Sequence, residues 1–125
     1  MKYFMAGVAL ALIIFLAGCD DDAISSPTQV IFPDSNVSFA AHVAPFLQLG
    51  CNMTGCHDAP RTENRNIVLT SWAGVMDLRV VNQPGDTNAG LVQVLYGKVF
   101  HPLINAEENQ RRGIKQWVKE GAKNN

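Results

Sequence analysis

The chain has 125 residues, enough for one small domain with an appendage, and 47% of them are apolar. Its formal charge is −1, so it has no basic field of the kind that nucleic-acid binding needs. No constellation for hydrolysis, phosphate binding or zinc catalysis occurs along it, which points away from an enzyme.

The N-terminus inflates the apolar count. Lys2 precedes an unbroken apolar run from Tyr3 to Ala17, followed by Gly18-Cys19. A charged start, a short apolar run and small residues before a cleavage point predict a signal peptide over residues 1–18. The run is short for a membrane span. Leu16-Ala17-Gly18-Cys19 resembles the lipobox of bacterial lipoproteins. The resemblance implies a processed chain that starts at Cys19, with acyl chains on its thiol and its amine. Two or more such chains hold a protein stably at a bilayer. The other reading is a plain secretory peptide with Cys19 left as a thiol. Residues 19–36 open on Asp20-Asp21-Asp22 and stay rich in Ser, Pro, Thr and Asp, which reads as a lipidated flexible tether. The expected location is the bacterial cell envelope, outside the cytoplasm. An acidic run after the cysteine resembles an inner-membrane retention signal in some bacteria and a surface-export signal in others, so both membranes stay open.

The folded part is expected over residues 37–122. Ser38 is placed to cap a helix from Phe39 to Leu49, with Phe39, Val43, Phe46 and Leu47 on one stripe. Pro45 removes a donor, so a kink or a new start is expected there. Gly50 closes the helix. Residues 58–68 read as an exposed loop that returns to the core at Ile67-Val68-Leu69. Thr70 or Ser71 caps a short helix through Trp72, Val75 and Met76, followed by an extended Arg79-Val80-Val81. A Pro84-Gly85-Asp86 turn leads to a helix capped by Asn88, carrying Leu91, Val92 and Leu95 and closed by Gly97. A last helix begins at Asn105 with a capping box to Glu108, carries Ile114, Trp117 and Val118, and ends at Gly121. The fold class is therefore mostly α.

Chemistry concentrates in residues 51–57, Cys-Asn-Met-Thr-Gly-Cys-His. With Cys19 assigned to lipid, Cys51 and Cys56 are the remaining pair. Outside the cytoplasm such a pair is a disulfide or a haem attachment site. Cys56-His57 matches the end of the signature Cys-x-x-Cys-His, widened here to four intervening residues. Two thiols would add to the haem vinyl groups, and the adjoining histidine would ligate the iron. Thr54-Gly55 suits the outward bulge that the two extra residues demand, because glycine accepts positive φ.

The order Ser38-Phe39, Val43-Ala44-Pro45-Phe46-Leu47, Cys56-His57, Leu69-Thr70-Ser71-Trp72, Pro84-Gly85-Asp86 and Trp117 to Ala122 resembles the small cytochrome c domains first grouped from planctomycete proteins. The likeness covers roughly residues 37–122. It implies a helical domain around one covalent haem c, with Cys51 and Cys56 as thioether residues and His57 as proximal iron ligand. Phe46, Leu69 and Trp72 are implied as haem-pocket residues. The family takes its distal ligand from a methionine before the last helix, where this chain has Phe100-His101-Pro102-Leu103. His101 is thus the expected distal ligand, with Met76, Met53 and His42 as the other residues open to that place. Arg61, Arg65 and Arg79 are candidate partners of the haem propionates. The implied activity is electron transfer to redox partner proteins by a membrane-anchored carrier of low potential. Two alternatives stand beside it: a haem-based sensor or gas-binding protein, and a haem-free lipoprotein module with a Cys51–Cys56 disulfide.

Overall fold

The computed structural model describes residues 23–101 and 106–125. The signal peptide, Cys19, Pro102, Leu103 and the expected helix start at Asn105 lie outside the described residues. Among those described, all regular structure is helical and there is no strand. No described helix is long and apolar enough to cross a membrane.

Within residues 37–122 the first helical stretch is a π-helical turn, Phe39–Val43, that continues into α1, Ala44–Gly50. Ser38 caps it, its side chain accepting from the Ala41 N–H at 3.2 Å. Pro45 explains the change of pitch. In a regular helix its ring would press on the carbonyl four residues back. The wider turn relieves that clash and leaves Pro45 in the first turn of α1, where a missing N–H costs nothing.

Ser71 caps α2, Trp72–Val75, by accepting from Gly74 N–H. Arg79-Val80-Val81, expected to be extended, is a turn instead. Asp77 organises it: its carbonyl accepts from the Val80 and Val81 N–H groups at 2.8 and 3.1 Å. Helix α3 is Gly90–Leu95, capped by Ala89 and not by Asn88, whose N–H is held by the Asp86 carboxylate at 2.9 Å. The backbone reaches Gly90 directly under the Arg79 carbonyl, an approach that a side chain at 90 would block.

Helix α4, Glu108–Lys119, starts from a capping box between Glu107 and Gln110. It ends in a Schellman turn. Gly121 at φ +101° donates to Val118 O, and Ala122 donates to Trp117 O. Its inner stripe supplies Ile114, Trp117 and Val118, all fully buried, against Phe46, Leu47, Val43, Val75 and Val81. Both indoles are satisfied by backbone: Trp117 donates to Lys123 O at 3.0 Å and Trp72 to Ala122 O at 2.8 Å.

Residues 27–36 differ from the expected free tether. Pro27–Gln29 forms a short 3-10 turn packed against α1, and Val30 and Phe32 are buried. Asn109 clips the Phe32 backbone from both sides, accepting from its N–H at 2.8 Å and donating to its carbonyl at 3.0 Å. Gln110, itself buried, donates to the carbonyls of Thr28 and Val30. Glu120 accepts from Asn36 and Val37 N–H at 2.8 and 2.9 Å. Two buried apolar side chains, each worth roughly 1.5–3 kcal/mol, with about 1 kcal/mol per hydrogen bond, outweigh a polar composition.

Candidate functional site

The site grows from the C-terminal end of α1. The Cys51 and Asn52 N–H groups both donate to Leu47 O, at 2.8 and 2.9 Å, which turns the chain out of the helix. Cys56 N–H then donates to Met53 O at 2.9 Å, closing a turn with Thr54 and Gly55 at its apex. Gly55 has φ +89°, and its N–H donates to Asp58 Oδ1. His57 N–H donates to Cys51 O at 3.1 Å. The four-residue spacing is thus absorbed by one exposed turn, and the ends of the motif are bonded to each other. Cys51 and Cys56 are both half-buried free thiols. Burial, with the neighbouring Cys56 thiol second, pushes the Cys51 thiol up to about 12.

Asn64 holds the following loop. Its amide donates to the Cys56 and Ala59 carbonyls while its Oδ1 accepts from Arg61 N–H. The chain comes back at Ile67, whose carbonyl lies 2.8 Å from His57 Nδ1. A carbonyl only accepts, so Nδ1 carries the proton and the lone pair of the neutral ring is at Nε2. Leu69 N–H donates to His57 O at 3.0 Å, and Asn52 Nδ2 donates to Leu69 O at 2.8 Å.

His57 Nε2 faces a second imidazole. His101, 44 residues later on the loop after α3, has its Nε2 at 3.4 Å. The ring centroids are 5.7 Å apart with an interplanar angle of 28°. Comparison with protein-family models, with curated proteins and with solved structures finds no match.

The other expected ligands are engaged elsewhere. His42 Nδ1 accepts from Ser38 N–H at 3.1 Å, and its ring lies against Phe32, so it serves the helix start. Met53 is exposed in the apical turn, and Met76 ends α2 and packs on the core. Among the expected pocket residues, Phe46 is in the core, edge-on to Phe32 at 5.9 Å. Leu69 is buried and joined to His57 through its backbone, whereas Trp72 is half-buried and bonded to Ala122. Arg79 is taken by Asp77, which it grips through Nε and Nη2, and by the Arg65 carbonyl. That grip holds the Asp77 carboxyl down to about 2. Arg61 stands 3.6 Å from Asp58.

The sequence reading passed over Asn52 and Asn64 and took Ile67 only as the return to the core. Asparagines beside a bend carry a readable signal, since their amides replace backbone partners in turns. The role of Ile67 has none, because it resides in a carbonyl that every residue possesses.

Proposed function

We propose that the chain is a single-haem c-type cytochrome that carries electrons, with thioether bonds at Cys51 and Cys56 and axial ligation by His57 and His101. The observation that carries this reading is the facing pair of Nε2 atoms, 3.4 Å apart. Imidazole nitrogens bound to one first-row metal ion each lie about 2.0 Å from it. The two nitrogens would hold one iron between them once the exposed His101 loop moves outward to admit the haem.

The donor set fits the group as well. A porphyrin brings four equatorial nitrogens of its own and asks the protein for two axial ones. The iron, when bound, supplies a one-electron couple. The chain's own residues do the rest. Ile67 O fixes the His57 tautomer and ring angle, an outer hydrogen bond that also raises ligand basicity. The His57-to-Cys51 backbone bond keeps the thiols next to the ligand. Histidine in the distal place, instead of methionine, favours the ferric state and a low potential. Two axial ligands leave no open position for a substrate, so the role is transfer to partner proteins and not catalysis. Anchoring by lipid at Cys19, in the cell envelope, completes the reading.

The test is the spectrum and intact mass of the chain expressed with haem maturation. One covalent haem and a low-spin ferric spectrum are expected. His101→Ala should turn the iron high-spin and open it to carbon monoxide, while Met76→Ala leaves it low-spin. An intact mass without haem would refute the proposal, as would a low-spin spectrum retained in His101→Ala and lost in Met76→Ala.

A further inference from the structure

His57 and His101 bring two imidazoles to one point from 44 residues apart in the chain. Their Nε2 atoms are 3.4 Å apart while the ring centroids are 5.7 Å apart, so the rings converge on their Nε2 corners. The gap is long for a hydrogen bond to a ring nitrogen, which usually ends near about 3.2 Å. It suits a shared cation better. Two imidazole nitrogens 3.4 Å apart, each about 2.05 Å from one ion, subtend about 110° at it, the tetrahedral angle. A cis pair on a square-planar ion would need about 2.9 Å between nitrogens and a trans pair about 4.1 Å. His57 is also prepared as a ligand. Ile67 O accepts from its Nδ1–H at 2.8 Å, the outer hydrogen bond that metal-bound histidines almost always make. His101 is exposed on the loop after α3, so an ion and its waters can reach the pair.

We propose that the chain, before it carries haem, holds a zinc ion between His57 Nε2 and His101 Nε2 in a tetrahedral site completed by water. Among the described residues no group of three or more His, Cys, Asp or Glu side chains is poised for a metal ion, which limits the chain's share to these two nitrogens. Zinc is the divalent ion that takes imidazole donors at the tetrahedral angle, whereas copper(II) and nickel(II) favour square-planar sets. The site does not rest on the haem reading. It uses the nitrogens that the haem reading gives to iron, so zinc and haem exclude each other. With the rings as they stand the pair fits zinc, and haem needs the His101 loop to move outward.

The experiment is a calorimetric titration of the full haem-free chain with ZnCl2, repeated on His57→Ala, on His101→Ala and on a chain with both Cys51→Ser and Cys56→Ser. One zinc ion per chain is expected. Affinity should fall at least about tenfold in either histidine variant, since loss of an outer partner alone reaches that scale. It should hold within about twofold in the double serine variant, which can bind neither haem nor metal through sulfur. CoCl2 in the same chain should give the intense visible bands of tetrahedral cobalt. Absence of zinc binding in the haem-free chain overturns the proposal and leaves the cytochrome reading standing. Binding retained in His101→Ala overturns it, as does binding lost in the double serine variant, which would assign the ion to the thiols. The weak bands of octahedral cobalt overturn the tetrahedral site. Zinc bound through both histidines by a chain that never gains covalent haem removes the cytochrome reading and keeps this one.

Discussion

Gly113→Ala tests whether residues 27–36 belong to the fold. The Phe32 ring rests on the bare Cα of Gly113, so that a Cβ there meets Phe32 Cβ, Cγ and Cδ1. Phe32 has little room to retreat. Its ring is edge-on to Phe46 at 5.9 Å, lies against His42, and its backbone is held by Asn109. Overpacking of this kind costs typically 1–3 kcal/mol, and three overlapping atoms place this case near 3. Replacing glycine by alanine inside a helix returns about 1 kcal/mol. The other escape, peeling the segment away, gives up the burial of Val30 and Phe32, roughly 3–6 kcal/mol, and leaves Gln110 unpaired. Strain in place is cheaper. The expected net loss is about 2 kcal/mol, or a fall in Tm of roughly 8–16 °C for a domain of this size. In a Phe32→Gly background all three overlapping atoms are gone, so the same substitution should stabilise by up to about 1 kcal/mol. Thermal and urea melts of the four chains read the coupling, expected near 3 kcal/mol. Gly113→Ala that stabilises the parent chain, or additivity within about 0.5 kcal/mol, would refute a docked segment.

The Glu120 carboxyl is held below its ordinary value, first by the Gln116 amide and further by the Val37 and Asn36 N–H groups. Its contribution to stability is therefore present above its unfolded pKa and lost as pH falls through the lower folded value. Acid melts below about pH 4.5 should steepen this loss in the parent chain and show less of it in Glu120→Gln. In the haem-free chain, Cys51 should resist iodoacetamide at pH 8 until the chain is unfolded, because a thiol pushed up to about 12 is almost all protonated there. Rapid native-state alkylation of Cys51 would contradict that. Cys19→Ser should leave the chain unprocessed or release it from membranes, read by fractionation with and without detergent. Unchanged processing and extraction would remove the lipid anchor.

Helix existence was legible where a cap and an apolar stripe agreed. Ser38, Ser71, Gly97 and Gly121 mark real ends, and Ile114, Trp117 and Val118 face the core. The outward bulge at Thr54-Gly55 was legible because glycine accepts the positive φ that the turn needs. The described start of the last helix, a Glu107–Gln110 capping box, gave little signal because glutamate is not a favoured N-cap. Asn88 does not cap α3: its N–H goes to Asp86, and Ala89 takes the N-cap position without a side-chain bond. Residues 27–36 misled through composition. Their polar side chains face water, while what binds them is two apolar residues and backbone groups that composition does not count.

The docking of residues 27–36 also limits height above a bilayer. Anchored at Cys19 as proposed, a chain free as far as Val37 has eighteen residue steps and spans at most about 65 Å. With Pro27 already buried against the domain, eight steps remain, or at most about 29 Å. The folded domain, whichever way it turns, would then stay next to the headgroups. A soluble carrier arriving from the aqueous side and a partner embedded in the same leaflet would meet it under different restrictions. Lengthening the chain between Cys19 and Pro27 should therefore change the rate of exchange with a membrane-embedded partner more than with a soluble one.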